Sequence, residues 1–117
     1  MSRSQEAVRL TRLKKRSDFL AANRGRRAPT KGFVLLVRDR KDGNPEMRYG
    51  LTVSRKVGGA VVRNRMKRRF RELCRAVLPD QGVPGADHVL IGRQSGIERE
   101  FEKLGEDLKS ALAKVKA

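Results

Sequence analysis

The segment from residue 63 to residue 75 contains seven lysines or arginines in thirteen positions. On a helical projection from Val62, the apolar residues fall within an arc of about 120°, the width of a stripe that packs on a sheet. They are Val62, Met66, Phe70, Leu73, Cys74 and Val77. The opposite side carries Lys67, Arg71, Asn64, Arg75, Arg68 and Arg65, with Glu72 as the only acid among them. Like charges three or four positions apart destabilise an isolated helix, so this helix is expected to bind a polyanion.

A second candidate site surrounds Phe19, which follows the basic triplet Lys14, Lys15 and Arg16. An aromatic ring beside cations is a typical arrangement for stacking an unpaired base and holding its phosphates. Phe19 is equally suited to anchor a hydrophobic core, and the residues alone leave both interpretations open.

Residues with catalytic chemistry are scarce. His88 is the only histidine and Cys74 the only cysteine, and we expect both to be structural, buried and without a metal. Asp39, Asp42 and Glu46 lie in or beside a predicted turn, where acids usually support backbone geometry. No Lys-Ser or Lys-Thr follows Gly58-Gly59 as in a nucleotide-binding P-loop. The sequence indicates neither nucleotide hydrolysis nor a nucleophile paired with a base.

The charge of the chain is concentrated in one part of it. The 117 residues contain 29 Lys plus Arg and 13 Asp plus Glu, a net charge of +16. Residues 1–75 hold 23 of the bases and 6 of the acids (+17), and residues 76–117 hold 6 and 7 (−1). A uniform solubilising coat would not be divided in this way, so the first part is predicted to bind nucleic acid.

Length and composition predict one folded domain over residues 12–117, preceded by a flexible basic arm over residues 1–11. The single cysteine fits a reducing compartment and therefore the cytoplasm. We find no apolar run long enough for a membrane span and no signal peptide.

The elements that position these residues form a predicted α+β fold, a small mixed sheet packed by helices. Ser17-Asp18 is expected to cap a short helix that continues to Arg24 and ends at Gly25. Residues 33–38 and 48–54 are predicted strands, joined as a hairpin by the turn at 41–45. A long helix over about 59–78, a strand over 88–92 and a helix over about 95–115 complete the α/β sandwich.

Four segments, in this order, resemble the protein subunit of bacterial ribonuclease P. They are RLKKRSDF at 12–19, FVL at 33–35, GLTVSRKVG at 50–58 and AVVRNRMKR at 60–68. The most specific part is the Arg-Asn-Arg core within a basic helix that follows a Ser-(Arg/Lys)-Lys strand end. The resemblance extends over about residues 10–112.

The resemblance implies a left-handed helical crossover between parallel strands, against the roughly 98% right-handed rule. It also implies two binding roles. The catalytic RNA subunit would be contacted by Arg63, Asn64, Arg65, Lys67, Arg68 and Arg71. The single-stranded 5′ leader of precursor tRNA would be bound by Lys14, Lys15, Arg16, Phe19, Arg55 and Lys56. Family members often have further aromatics in the leader cleft, where this chain has Asn23 and Leu36, so stacking is expected to contribute less here.

The resemblance further implies that the holoenzyme removes the leader by hydrolysing one phosphodiester bond. Mg²⁺ would be held mainly by the RNA subunit, with no catalytic residue and no metal site in this chain. Ribonuclease P RNA and the precursor tRNA leader are the expected partners, with no membrane and no obligate protein partner.

Three other classes agree with the residues considered without the resemblance. A basic ribosomal protein would accompany ribosomal particles, and an architectural protein would bind duplex DNA without a leader cleft. A self-sufficient nuclease would cleave RNA with no RNA subunit present. Neither the ribosomal protein nor the architectural protein predicts Arg-Asn-Arg in this context. The missing catalytic constellation argues against the self-sufficient nuclease.

Overall fold

A computed structural model describes residues 9–116, which form one mixed sheet and three helices. The strands are β1 (Leu10–Arg12), β2 (Arg26–Pro29), β3 (Phe33–Asp39), β4 (Met47–Thr52) and β5 (Ala86–Gly92). The helices are α1 (Arg16–Ala22), α2 (Ala60–Gln81) and α3 (Phe101–Lys116), with a short 3-10 turn at Gln94–Gly96. The sheet order is β1-β4-β5-β3-β2.

One face of the sheet is covered by α2 and α3. Side chains alternate along a strand, so Phe33, Leu35 and Val37 of β3 all enter the larger core on this face. The apolar stripe predicted for α2 packs onto them, and Phe70 meets Phe33 edge to face with ring centroids 5.5 Å apart. The main core of the chain therefore lies between the sheet and the two long helices.

The opposite face carries α1 and a smaller core. Leu36 of β3 and Val89 of β5 are buried here with Leu13 and Ala22, and Phe19 packs against them. Because α1 has only seven residues, it covers part of this face and leaves the rest open.

The predicted hairpin between residues 33–38 and 48–54 is wrong. β3 and β4 are both strands, but β5 lies between them, antiparallel to β3 and parallel to β4. The turn at 41–45 exists, with Lys41 and Gly43 at positive φ. It connects two strands that are not neighbours, since β5 lies between them. A local turn signal cannot show that a distant apolar strand will be inserted between its neighbours.

The ends of the helices also differ from the predictions. α1 begins after Lys15, not at a Ser17-Asp18 cap, and no side chain caps it. α2 continues through Pro79 to Gln81. The predicted helix over 95–115 is divided into the 3-10 turn at Gln94–Gly96 and α3. Gly96 packs on the backbone of Gly32, where a Cβ atom would lie 2.4 Å from the Gly32 oxygen.

Strands β1 and β2 were not predicted, since each is short and carries arginine. β1 includes Leu10 and Thr11 from the predicted arm, whose residues 1–8 lie outside the described residues. The parallel neighbours β4 and β5 are connected through α2, and the left-handed sense of this crossover stays a prediction. Within residues 9–116, none of the helices combines the length and the apolar character needed to cross a bilayer.

Candidate nucleic-acid interface

The outward side of α2 is a cationic surface, which we call the basic face. Asn64, Arg65 and Arg68 are exposed on it, and Arg63, Lys67 and Arg71 are partly buried at its margins. The apolar residues Met66, Phe70, Leu73, Cys74 and Val77 are buried on the other side of the helix. The division of α2 into a packing side and a cationic side agrees with the prediction from periodicity.

Two arginines of α2 are engaged by the protein itself. Arg69 donates to the backbone oxygens of Ile97 and Arg99, which fastens the loop before α3. Arg63 donates from Nε to the Gly58 oxygen at 3.1 Å, which orients its side chain at the start of the helix. Charge alone therefore overstates the number of cations free to bind a ligand.

A cleft of about 550 Å³ lies between α1 and the open part of the sheet. We call it the cleft and define it by its lining residues: Lys14, Arg16, Phe19, Leu20, Asn23, Leu36, Leu51, Thr52, Val53, Lys67, Val89 and Ile91. Its floor is apolar, and three cations stand on its walls. Lys67 belongs both to this cleft and to the basic face, so the two surfaces are continuous.

The structure brings together only part of the predicted leader-binding set. Lys14, Arg16 and Phe19 line the cleft. Lys15 lines a neighbouring groove beside Asp18 and Arg48. Arg55 and Lys56 are exposed in the turn between β4 and α2, outside the cleft lining.

Gly50 of β4 lies directly beneath the ring of Phe19. A Cβ atom at this position would be 2.5 Å from the Phe19 Cε1 atom and 3.0 Å from a Leu13 methyl group. Since real Cβ atoms do not approach so closely, glycine is what allows the ring to lie on the sheet. The Phe19 side chain thus packs against the smaller core and also lines the cleft.

A buried carboxylate anchors the sheet under α1. Asp87 of β5 is fully buried and accepts two hydrogen bonds from Arg48, at 2.7 and 2.8 Å, and one from Arg40 at 3.0 Å. Arg38 lies 3.5 Å from the same carboxylate. Hydrogen bonds and charge from Asp87 raise the pKa of Arg48, which remains fully protonated.

Asp18 connects α1 to this network. Its carboxylate oxygens lie 3.4 Å from Arg48 and 3.7 Å from Arg38. The side chain predicted to cap the helix is thus used to hold the helix on β3 and β4. Because Phe19 is the next residue, this ion pair also sets where the ring enters the cleft.

Comparison with known proteins identifies the family. The model of the ribonuclease P family matches residues 8–116. The chain belongs to the ribonuclease P protein family.

Relatives and solved structures agree over nearly the whole chain. The ribonuclease P protein component of Erythrobacter litoralis is 56% identical over 104 residues, covering 89% of this chain and 84% of that protein. The RNase P protein of Thermotoga maritima has a TM-score of 0.74 at 32% identity, over 91% of this chain and 98% of that one. For the RNase P protein of Staphylococcus aureus the values are 0.73 and 30%, over 89% and 95%. The predicted family and the predicted mixed α+β fold are confirmed.

Sequence reasoning missed the Asp87 network of this ribonuclease P protein. Its signal was one acid within the otherwise mostly apolar strand ADHVLIG. Such an acid is buried only when cations from other strands reach it, and those partners could not be assigned before the strand order was known.

His88 and Cys74 of this ribonuclease P protein are buried, as predicted. His88 is fully buried, and burial lowers its pKa to about 4. Burial raises the pKa of the Cys74 thiol to about 12, so the thiol stays protonated. Asp39 and Asp42 accept backbone N–H groups of Lys41 and Asn44 in the turn.

Proposed function

We propose that this chain is the RNA-binding subunit of ribonuclease P and takes part in maturing the 5′ end of tRNA. The observation that carries the proposal is the continuity of the basic face with an apolar-floored cleft through Lys67. A surface of this kind suits two RNA elements at once, a structured RNA on the helix and a single strand in the cleft.

The basic face would contact the RNA subunit. Duplex and folded RNA present closely spaced phosphates, and lysine and arginine side chains bind them with release of counterions. The residues assigned to this contact are Arg63, Asn64, Arg65, Lys67, Arg68 and Arg71. The Nε atom of Arg71 is buried without a hydrogen-bond partner among residues 9–116, and RNA docked here would lie beside it.

The cleft would receive the 5′ leader of precursor tRNA. Phe19 offers a ring for base stacking, which is worth about 1–3 kcal/mol per base at such sites, and Lys14 and Arg16 stand beside it for phosphates. Lys15, Arg55 and Lys56 lie outside the cleft lining and would meet leader phosphates before or after the cleft. With Asn23 and Leu36 in the lining, phosphate contacts would carry a larger share of the affinity.

Hydrolysis would take place on the RNA subunit, with Mg²⁺ held mainly there. Among residues 9–116, no three His, Cys, Asp or Glu side chains are grouped as a set of metal ligands. What this chain supplies is charge neutralisation between two polyanions and leader contacts that the tRNA product lacks. A single cysteine, Cys74, fits a reducing compartment, and we place the holoenzyme in the cytoplasm.

The test reconstitutes the chain with its RNA subunit and compares precursor tRNA with mature tRNA. We expect the protein to tighten binding of the precursor and to change binding of the mature form little, with cleavage in Mg²⁺ requiring the RNA subunit. If the protein tightened both RNAs equally, the assignment of the cleft would be wrong. Cleavage by the protein alone would contradict the placement of the chemistry.

Variants test the roles of the basic face and the cleft separately. Replacing Arg65 and Arg68 by glutamine should weaken assembly with the RNA subunit and lower the salt dependence of that step, since each lost phosphate contact reduces the slope by about 0.9 in duplex contacts. Phe19→Leu should leave assembly unchanged and weaken precursor binding alone. Lys109→Gln, on the exposed side of α3, removes one charge elsewhere and serves as the control.

A further inference from the structure

The floor of the cleft continues toward the edge strand β2. In the sheet, Gly50 of β4 is paired with Val89 of β5, Val89 with Leu36 of β3, and Leu36 with Arg27 of β2. Paired residues in neighbouring strands present their side chains on the same face. Leu36 and Val89 line the cleft, so Arg27 is the next residue of the same row.

The contacts of its neighbours confirm the orientation of Arg27. Arg26 donates to the backbone oxygen of Val115 in α3, and Ala28 is buried in the core under α2 and α3. Both neighbours thus face the side away from α1. Because side chains alternate along a strand, Arg27 faces the side of α1 and the cleft.

Arg27 is exposed, and its side chain makes no ion pair or hydrogen bond within residues 9–116. This distinguishes it from Arg26, Arg38 and Arg48, which have partners in the protein. A guanidinium held on a strand without a protein partner is available to a phosphate at small conformational cost.

The turn before β2 fixes this position. A Cβ atom at Gly25 would lie 2.1 Å from the Val37 oxygen, so the turn rests directly on the backbone of β3. Asn23 lines the cleft at the end of α1, on one side of this turn, and Arg27 follows on the other. Both residues therefore stand at the same end of the cleft, and Lys67 lines the cleft from α2.

We infer that Arg27 forms a distal subsite of the cleft, which binds a backbone phosphate of a single-stranded RNA after it has passed Lys67 and Phe19. The inference rests on the proposed function, in which this strand is the leader. Three strand spacings separate β4 from β2, about 14 Å. Successive nucleotides of a stacked strand rise by about 3.4 Å along its axis, so about four nucleotides cover the distance from Gly50 to Arg27.

The experiment measures the affinity of the reconstituted holoenzyme for precursor tRNAs whose leaders are lengthened one nucleotide at a time. With the unaltered chain, affinity should rise with leader length and then level off. Arg27→Gln should match it for short leaders and lose the last increment for long ones, about fivefold, the size expected for one exposed charge contact. For long leaders only, the slope of log affinity against log salt should fall by about 0.7.

Two further variants sharpen the test. Arg24→Gln removes one positive charge from the turn just before β2. Arg24 lines a different groove, beside Lys41 and Lys116, so the effect of this variant should not depend on leader length. Arg27→Lys keeps the charge and should restore most of the lost increment. Since the Arg27 side chain touches no partner in the described part of the chain, thermal melting should be the same for all variants.

The outcomes separate the subsite from the cleft itself. If Arg27→Gln lowered affinity by the same factor at every leader length, or if Arg24→Gln lost as much affinity for long leaders, the subsite would be overturned. The leader cleft itself would remain in place. If the unaltered chain gained no affinity from any leader, the proposed function and the subsite would both be wrong.

Discussion

Both ring nitrogens of His88 form hydrogen bonds with backbone groups. Nε2 accepts the Val83 N–H at 3.0 Å, so Nδ1 carries the proton and donates to the Arg48 oxygen at 3.1 Å. Burial opposes the charged form and lowers the pKa of His88 to about 4. Protonation of Nε2 would also remove the acceptor for the Val83 N–H. The only histidine of the chain therefore secures the start of β5 as a neutral group.

We expect the stability of the protein to depend on pH through His88. The folded-state pKa of His88 lies below the ordinary histidine value of 6.5, so the unfolded state binds the proton more tightly. Stability from the neutral ring is complete above pH of about 6.5 and is lost as pH falls toward 4, by about 3 kcal/mol. Urea denaturation of the protein and of His88→Gln across this range measures it, and equal slopes in both would contradict the assignment.

The contact between Gly50 and Phe19 gives a second prediction. Gly50→Ala places a methyl group against the ring, so the ring must leave its position on the sheet. We expect precursor binding to weaken severalfold, approaching the value for Phe19→Ala, with assembly on the RNA subunit retained. If Gly50→Ala bound leader as tightly as the unaltered chain, the position of the ring would not matter for binding.

Single residues were predictable where a local pattern determined their environment. The periodicity of α2 separated Cys74 and Phe70 from Arg65 and Arg68 because one helix carries both sides. Arg69 was not separable from the other cations, since its carbonyl partners lie in the loop before α3. The side of the sheet on which Arg27 lies could be assigned only from its pairing with Leu36.

At the scale of elements, α1 is held on the sheet both by packing and by charge. Asp18 is the only residue of the helix in the network formed by Asp87, Arg38 and Arg48. A short helix gains little stability from its own hydrogen bonds, so contacts with the sheet determine its position. The position of α1, the cleft wall that carries Phe19, therefore depends on the Asp18 carboxylate.

Replacing Asp18 is expected to weaken leader binding although it removes a negative charge. Removing an acid near bound RNA ordinarily strengthens RNA binding. We expect Asp18→Asn to do the opposite for leader binding, because α1 loses an ion pair worth about 1 kcal/mol and Phe19 loses its fixed position. Glu46→Gln is the matched control, since Glu46 lines the same groove as Asp18 and its side chain is not paired within residues 9–116.

Affinity titrations with precursor and mature tRNA compare these two variants. The expected result is weaker precursor binding for Asp18→Asn and unchanged or slightly tighter binding for Glu46→Gln. Tighter binding in both would show that Asp18 acts only through its charge.

The elements themselves were predictable in proportion to their length and pattern. α2, α3 and the apolar strands β3 and β5 have strong periodic or continuous hydrophobic signals. β1 and β2 are three and four residues long and are strands only because β4 and β3 offer them an edge. The order of the strands depends on long-range pairing, which no local signal contains.

For the whole molecule, a net charge of +16 makes folding sensitive to anions. Self-repulsion destabilises the folded state, and anions that bind clustered cations stabilise it by mass action. At a hundredfold excess over its dissociation constant, a bound anion contributes about 2.7 kcal/mol, which raises the melting temperature of a domain of this size by roughly 10 °C.

Thermal melts in millimolar sulfate or pyrophosphate test this expectation, with potassium chloride at equal ionic strength as the control. A rise specific to the multivalent anions is expected. An unchanged melting temperature, or an equal rise in chloride, would argue against clustered phosphate sites.

The strand order also has a consequence for synthesis of the chain. β5 is the last strand to leave the ribosome, yet it lies at the centre of the sheet and joins the β1–β4 pair to the β3–β2 pair. At about 5–20 residues per second, α2 and its arginines emerge before the strand that completes the surface beneath them. A chain that stops before residue 86 has 23 of its 29 lysines and arginines but lacks the strand that joins the two pairs into one sheet. We therefore expect selective RNA binding to begin only when translation has passed β5.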